Sequence, residues 1–503
     1  MSDGMITVTL NGKEYKVESG TCLGQLAAHE GATAMICGGH GKCGKCFGIV
    51  TGAVSAATGH EKLMLGEKFK NGVRLLCRTY AEGDCTVTTG SVDAAQIRED
   101  GDLPAHEHRP CFSGYGVAAD VGTTTVAARL YRADGTLLSS KTALNPQRAF
   151  GADVISRMEA ALSGRAGELS ALITGALSDL TAELARDAGI TSGEIDGAVI
   201  TGNTVMLHLL TRTDPEPLTH APFEAKRLFG ETVAAKELGI EALPENTPVY
   251  LSPCVSAFIG ADTVTAIASS EFDKGEGVAV LTDIGTNGET VLRYEGGILA
   301  CSTAAGPAFE GAGIEMGMGG LPGAIDRVAA KPDGSYDVSV IGGGKPAGIC
   351  GSGIVDALAA FTDTGAIDET GYMENDHVTL ARPVFLTQKD VRAAQLAKSA
   401  IHAGIRTLLH AAGIGCGAVD KLYIAGGFGS YLDVNNAGKI GLIPPELAPK
   451  VVVLGNAALS GASLLLLCEP KRKEYEAVCR KIRLVELAGN PVFVREYTER
   501  MTF

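Results

Sequence analysis

The segment Cys37-Gly38-Gly39-His40-Gly41-Lys42-Cys43-Gly44-Lys45-Cys46 spaces three cysteines as C-x5-C-x2-C, and Cys77 follows after thirty intervening residues. Three thiolates so close together need a loop that curls around a metal, and Gly38, Gly39, Gly41 and Gly44 permit the curl. The loop's N–H groups can donate to bridging sulfides while a distant cysteine closes the site, which is the chemistry of a [2Fe–2S] centre. Four thiolates are also a structural zinc set. Zinc sites usually show paired C-x2-C knuckles, and only one is present here, so Cys37, Cys43, Cys46 and Cys77 are read as iron ligands. Cys22 and Cys85 fall outside the spacing and read as packing residues.

A second chemistry is written twice. Asp120-Val121-Gly122-Thr123-Thr124-Thr125 ends a strand rich in valine and alanine, and Asp283-Ile284-Gly285-Thr286-Asn287-Gly288-Glu289 repeats the pattern about 160 residues on. An aspartate at a strand end can hold a hydrated Mg²⁺. Gly122 and Gly285 let each turn approach phosphate, while Thr123, Thr124, Thr125, Thr286, Asn287 and Gly288 supply donors. Asp-x-Gly-Thr also occurs in aspartic proteases, but those are largely β proteins and this region carries long helical patterns. Two such loops facing one another can clamp a polyphosphate, with Asp120 and Asp283 as the catalytic candidates. A third strand, Leu422–Ala425, runs into Gly426-Gly427, where a nucleoside can lie against backbone. Ser302–Pro307 and Gly351-Ser352-Gly353 are further contact candidates. Asp153 and His208 are read as structural; a histidine within an apolar stretch such as Val205–Leu210 is more often a satisfied core residue.

The elements that must position these residues follow from periodicity. Ile6–Leu10 alternates, Asn11-Gly12 offers a tight turn, and Glu14–Val17 returns as a second strand. A short helix over Leu23–His29, the cysteine loop and strand-like pieces to about Thr89 complete a small α+β domain. From Ser91 to Ser113 the pattern weakens and reads as an exposed linker. Beyond Gly114, buried strands alternate with amphipathic helices such as Gly167–Ala188 and Lys389–Ala412, the signature of an α/β domain. The two phosphate-loop signatures point to two related halves.

Composition sets limits. With 503 residues, 45% hydrophobic and 20% charged, the chain has material for more than one globular core. A net charge of −15 argues against a protein whose main work is gripping nucleic-acid phosphates. The longest uncharged apolar run, Val451–Cys468, is broken by Asn456, Ser460 and Ser463, so a buried strand, a turn and a core helix are expected rather than a membrane span. No basic segment followed by an apolar core opens the chain, and thirteen cysteines without a leader suit reduced thiols and metal ligands, so the cytoplasm is the expected compartment.

Taken with these motifs, residues 1–92 resemble a ferredoxin of the adrenodoxin type; the plant type has four residues in the first gap. Residues 114–503 resemble the acetate and sugar kinase, heat-shock protein and actin superfamily, with first phosphate loop, second phosphate loop and adenosine loop in the expected order. The combination resembles the reductive activators of corrinoid-dependent methyltransferases. The segments that carry this likeness are Asn145-Pro146-Gln147, Gly151-Ala152-Asp153-Val154, Gly202-Asn203-Thr204-Val205-Met206-Leu207-His208, Asp283–Glu289 and Gly426-Gly427-Phe428-Gly429. The resemblance implies a β-grasp-like α+β ferredoxin over 1–92, a linker over 93–113, and an actin-like (ribonuclease H-like) α/β ATPase with lobes 114–275 and 276–503. It further implies a [2Fe–2S] cluster, ATP and Mg²⁺ as cofactors, and the return of an inactive Co(II) corrinoid protein to Co(I). The implied partners are that corrinoid protein and an upstream electron donor, with a homodimer as a further expectation. Two departures from the group are a short linker and the lack of a C-terminal cysteine cluster, Cys468 and Cys479 being isolated. An activator of another low-potential enzyme such as a dehydratase, a small-molecule kinase with a regulatory cluster, and a plain electron carrier are the competing readings.

Overall fold

The computed structural model describes residues 5–29, 46–65, 69, 72–89, 103–151, 153–426 and 431–503. The chain divides into two compact units, Met1–Ala95 with Val340–Lys345, and Gln96–Ser339 with Pro346–Phe503.

In the smaller unit, β1 (Met5–Leu10) and β2 (Lys13–Glu18) form the expected hairpin, with Asn11 (φ 48) and Gly12 (φ 85) both left-handed at its turn. With β3 (Phe47–Val54), β4 (Val73–Leu75) and β5 (Ala81–Thr88) they make a sheet in the order β2-β1-β5-β3-β4, in which β1 and β5 run parallel. Helix Leu23–His29 covers it, and Val8, Leu10, Leu23, Ala27, Leu76, Cys85 and Val87 form the core. This is the β-grasp-like ferredoxin expected from the sequence.

The larger unit is built twice. Strands β6 (Tyr115–Val121), β7 (Thr125–Arg132), β8 (Leu137–Leu144), β9 (Ile195–Gly202), β10 (Glu231–Ala234) and β11 (Pro248–Leu251) form a sheet ordered β10-β11-β9-β6-β7-β8. Its counterpart uses β12 (Ala279–Ile284), β13 (Gly288–Tyr294) and β14 (Gly297–Thr303). Between that meander and its next partners lie a small sheet, β15 (Ala324–Ala330), β16 (Tyr336–Val340) and β17 (Gly348–Ile349), and a hairpin, β18 (His377–Ala381) and β19 (Val384–Thr387). Strands β20 (Lys421–Ala425), β21 (Val451–Gly455) and β22 (Ile482–Leu484) complete the order β21-β20-β12-β13-β14-β22. In both lobes an antiparallel three-strand meander continues through its first strand into parallel neighbours. That shared topology is the actin-like fold.

Helices follow their apolar spacing. In Ala166–Asp187 the residues Leu169, Ile173, Leu177, Leu180 and Leu184 fall on one buried face. Helix Gln388–Ala411 opens with a capping box, Thr387 Oγ1 accepting from Asp390 N at 3.3 Å while Asp390 Oδ2 accepts from Thr387 N at 2.9 Å. The apolar run Val451–Cys468 resolves as expected into β21 and helix Ala457–Leu467, which is buried on every face. Among the described residues no helix is long and apolar enough to cross a membrane.

Helices Ala261–Ser270 and Ala457–Leu467 cross within the apolar core between the two sheets. A β-carbon on Gly461 would lie 1.9 Å from the Thr265 carbonyl oxygen, so only glycine permits the crossing. The exposed linker expected over 91–113 needs correction in its second half. Arg109 N donates to Leu467 O (3.0 Å), Cys111 N to Leu466 O (3.2 Å) and Glu469 N to Arg109 O (2.9 Å), and Phe112 is buried beneath them. Residues 103–113 are therefore a strap fixed to the larger unit, because their backbone satisfies the free carbonyls at the end of helix Ala457–Leu467.

Candidate functional site

The first phosphate loop is held from behind. Gly122 turns so tightly that a β-carbon would meet Thr125 O at 2.8 Å. The buried Asn145 donates from Nδ2 to Gly122 O (2.8 Å) and from its backbone N–H to Thr124 O (2.9 Å). Fully buried Arg157 donates to Thr123 O (2.7 Å) and Gly151 O (3.0 Å); burial pulls its guanidinium down to about 10, leaving it charged at neutral pH. Asn203 donates to Thr123 Oγ1 (3.0 Å) while capping the next helix through Met206 N (2.9 Å). The Asn145, Gly151 and Gly202-Asn203 segments thus carry a physical role, that of buttressing one turn.

The second loop has the same form. Gly285 N donates to Asn287 O (3.2 Å), and a β-carbon on Gly288 would crowd Thr303 Oγ1 to 2.6 Å. Asp283 stands in register with Ala425, and Gly426 (φ 93) adjoins it so closely that a β-carbon would meet Asp283 Oδ1 at 2.7 Å. Gly426 and the second aspartate, both site candidates, therefore meet at one point; Gly427 lies outside the described residues.

Asp262, at the start of helix Ala261–Ser270, was not picked out from the sequence, yet its charge acts on both loop aspartates. Asp120 is pushed up to about 8, by burial first and then by Asp262 and Asp283, with Asn456 hydrogen-bonding it in the opposite sense. Asp283 is pushed to about 7 by burial, Asp262 and Glu310, and burial raises Asp262 itself to about 6. Glu289, bonded by Ser302 Oγ at 3.3 Å, is raised for the same reasons. Like charges brought together away from water form a site that favours a cation. Among the described residues no three His, Cys, Asp or Glu side chains are placed to ligate one ion directly.

Glu310 also went unrecognised in the sequence. It accepts from Thr286 N (2.6 Å) and Thr286 Oγ1 (3.0 Å) of the second loop, and from Thr124 Oγ1 of the first. The single acid at an otherwise uncharged helix start (Asp262), and one directly before a glycine (Glu310), were the available signals. At Gly351-Ser352-Gly353, Ser352 Oγ donates to Asp326 O (3.0 Å), and a β-carbon on Gly353 would meet Ile325 O at 2.3 Å. Asp153 caps helix Val154–Ala160 through Ser156 N (2.9 Å), and buried His208 bonds Thr204 O (2.8 Å), both in the structural roles expected.

In the smaller unit Cys46 and Cys77 are buried, and Leu76 N donates to Cys46 O at 2.7 Å, so the end of the cysteine loop is tied to the distal ligand's turn. Helix Leu23–His29 packs tightly there: a β-carbon on Gly24 would lie 2.6 Å from Cys77 N. Cys37 and Cys43 lie outside the described residues. Cys85 is core, as expected, and Cys22 Sγ lies 3.7 Å from both Leu76 O and Cys77 O. Two buried thiols meeting at one turn suit a thiolate-bound cluster. Fully buried Glu61 holds the strand before Cys77, accepting from Arg74 Nε (2.7 Å), Arg74 Nη2 (3.2 Å) and Leu75 N (2.9 Å). Glu61→Gln leaves a buried guanidinium without its counter-charge and is expected to destabilise the unit by about 3–5 kcal/mol. Thermal loss of the holoprotein's visible absorbance, compared with wild type, measures it.

Three family models match the chain: a 2Fe-2S iron-sulfur cluster binding domain over residues 8–82, the RACo middle region over 115–275, and the C-terminal domain of RACo, the ASKHA domain, over 277–503. The corrinoid activation enzyme RamQ of Eubacterium limosum is 35% identical over 420 residues, spanning 77% of this chain and 70% of that protein. The Co(II) methylated amine-specific corrinoid protein reductase of Methanosarcina barkeri is 27% identical over 400 residues, spanning 73% of each. A solved reductive activator for corrinoid, iron-sulfur protein matches with a TM-score of 0.75 at 27% identity, covering 99% of this chain and 98% of that one.

Proposed function

The chain belongs to the family of reductive activators of corrinoid proteins, and from that premise we propose how its residues divide the work. The protein is an ATP-dependent oxidoreductase that restores Co(I) in a corrinoid protein whose cobalt has fallen to Co(II). Cys37, Cys43, Cys46 and Cys77 would hold the [2Fe–2S] cluster, which supplies a one-electron carrier when bound. Thr123–Thr125 and Gly285–Gly288 present donors to the ATP phosphates, and Gly426-Gly427 gives the nucleoside room. Asp120 and Asp283 orient a hydrated Mg²⁺ between the lobes. The charge of Asp262 acts on both and favours the bound cation.

Reducing Co(II) is uphill for ordinary donors, and one electron moved against 100 mV costs about 2.3 kcal/mol. ATP offsets that cost only by binding two states of the complex unequally. The observation that supports this reading is the pair of loops on opposite lobes, brought together where Glu310 bonds Thr124 of one and Thr286 of the other. A reduced upstream donor must refill the cysteine site, and the chemistry suits the cytoplasm; a homodimer belongs to the proposal but carries no step of it. The test holds a corrinoid protein as Co(II) with a mild reductant and follows its visible spectrum. Loss of the Co(II) band should require both this chain and Mg-ATP; equal loss without nucleotide under uphill conditions refutes the reading.

The acidic cluster also fixes a pH dependence. Unfolded carboxyls ionise near pH ~4, whereas Asp262, Asp283 and Asp120 hold their protons to about 6, 7 and 8 in the fold. Over that window the folded state binds more protons than the unfolded, so these groups' contribution to stability falls as pH rises. A bound cation requires the ionised carboxylates and reverses the trend. Mg-ATP should therefore raise the melting temperature more at pH 8 than at pH 6, as differential scanning fluorimetry can show.

A further inference from the structure

A carboxylate occupies the place between the two phosphate loops. Glu310 Oε1 accepts both the N–H and the hydroxyl of Thr286, at 2.6 Å and 3.0 Å, and Glu310 Oε2 accepts the hydroxyl of Thr124. Thr124 belongs to the first lobe; Thr286 and Glu310 belong to the second. These donors sit on the very turns that must face a polyphosphate entering between the lobes, so the side chain satisfies groups that the nucleotide would need. A β-carbon on Gly285 would lie 3.2 Å from Glu310 Oε1, which shows how closely the carboxylate fits the second turn.

The acid ends a short turn whose apolar side chains, Ala308 and Phe309, are buried. Turn Pro307–Glu310 is bounded by Gly306 (φ 80) and Gly311 (φ 82), both in conformations that favour glycine. Gly306 N donates to Thr286 O at 2.8 Å, so the turn is registered on the second loop through backbone while its acid reaches across to the first. Glu310 raises the neighbouring Asp283 carboxyl, and a phosphate brought alongside would add further like charge.

We propose that Glu310 is a displaceable clasp: without nucleotide its carboxylate stands in for a phosphate and joins the lobes through Thr124 and Thr286, and Mg-ATP must take those donors from it. This rests on reading the loops as the ATP site. Two states then differ by whether Glu310 or nucleotide holds the threonines, which gives ATP the unequal affinity that an uphill step requires. It also weakens observed ATP binding by the fraction of molecules whose clasp is open.

The test uses the full-length holoprotein with Glu310→Ala and Glu310→Gln. Mg-ATP binding by isothermal titration calorimetry should be tighter in Glu310→Ala, by about tenfold if one molecule in ten is open in the wild type. Glu310→Gln keeps an acceptor but loses the charge, and should tighten binding less. Hydrogen exchange at the Thr286 amide should be faster in both variants without nucleotide and match wild type with it. A purely structural or ligand-holding role moves affinity the other way, so weaker or unchanged binding in both variants overturns the clasp. A wild type that binds Mg-ATP while the variants bind it no better overturns the clasp alone. If no form binds nucleotide, the ATP reading falls and the clasp falls with it.

Discussion

Asp283→Ala should lower ATP-dependent reduction of the Co(II) corrinoid protein by about 10²–10³-fold, the usual loss when a preorganised charge at a reacting phosphate is removed. Its position gives the reason. Asp283 ends β12 at the second loop, meets Gly426 at the edge of the adenosine strand, and shares its field with Asp120, Asp262 and Glu310. Without it, in the proposed site, the cation that offsets the ATP charge loses one of its two anchoring carboxylates. Asp120→Ala should act in the same direction from the other lobe. The readout is the rate of Co(II) band loss with a mild reductant and saturating Mg-ATP, beside the rate at which a strong chemical donor bleaches the variant's own visible band. The second rate should match wild type, since the cysteine site is untouched. Wild-type cobalt reduction in either variant would remove these aspartates from the mechanism.

How much of this was legible in the sequence depends on whether the information is local. The first hairpin, the helix Leu23–His29 and the resolution of Val451–Cys468 into strand, turn and core helix were readable because periodicity and turn chemistry act over a few residues. Asp120 and Asp283 were readable because each lies inside a short repeated pattern. Asp262 and Glu310 were not, since what makes them part of the site is the approach of a helix start and a turn from elsewhere in the chain. Asn456 shows the same limit: the sequence marks it as a turn residue, but its bond to Asp120 exists only because helix Ala457–Leu467 returns to the first lobe. The strap over 103–113 misleads for the opposite reason. Its polar and proline-containing sequence reads as solvated linker, yet its backbone groups complete the end of a buried helix, and backbone hydrogen bonding leaves little trace in side-chain pattern.

Cys46→Ser should abolish electron delivery to cobalt and remove the visible absorbance of the protein, while leaving Mg-ATP binding close to wild type. Cys46 is buried at the end of the cysteine loop, and its carbonyl is tied to Leu76, one residue before Cys77, so a change there strikes one proposed ligand and the turn that presents another together. Serine is a poor soft-metal ligand. The phosphate loops, by contrast, are built wholly from residues of the larger unit, so their affinity for nucleotide has no structural reason to change. Paired with Asp283→Ala, this variant makes a double dissociation: one protein should bind nucleotide and hold no electron, the other should hold the electron and fail to deliver it uphill. Iron and sulfide analysis, Mg-ATP calorimetry and the Co(II) band together read all four quantities. Should Cys46→Ser keep its colour and its cobalt activity, the assignment of Cys46 as a ligand is wrong. Should it lose nucleotide binding as well, the two sites are coupled in folding, and the separation of labour proposed for the two units fails.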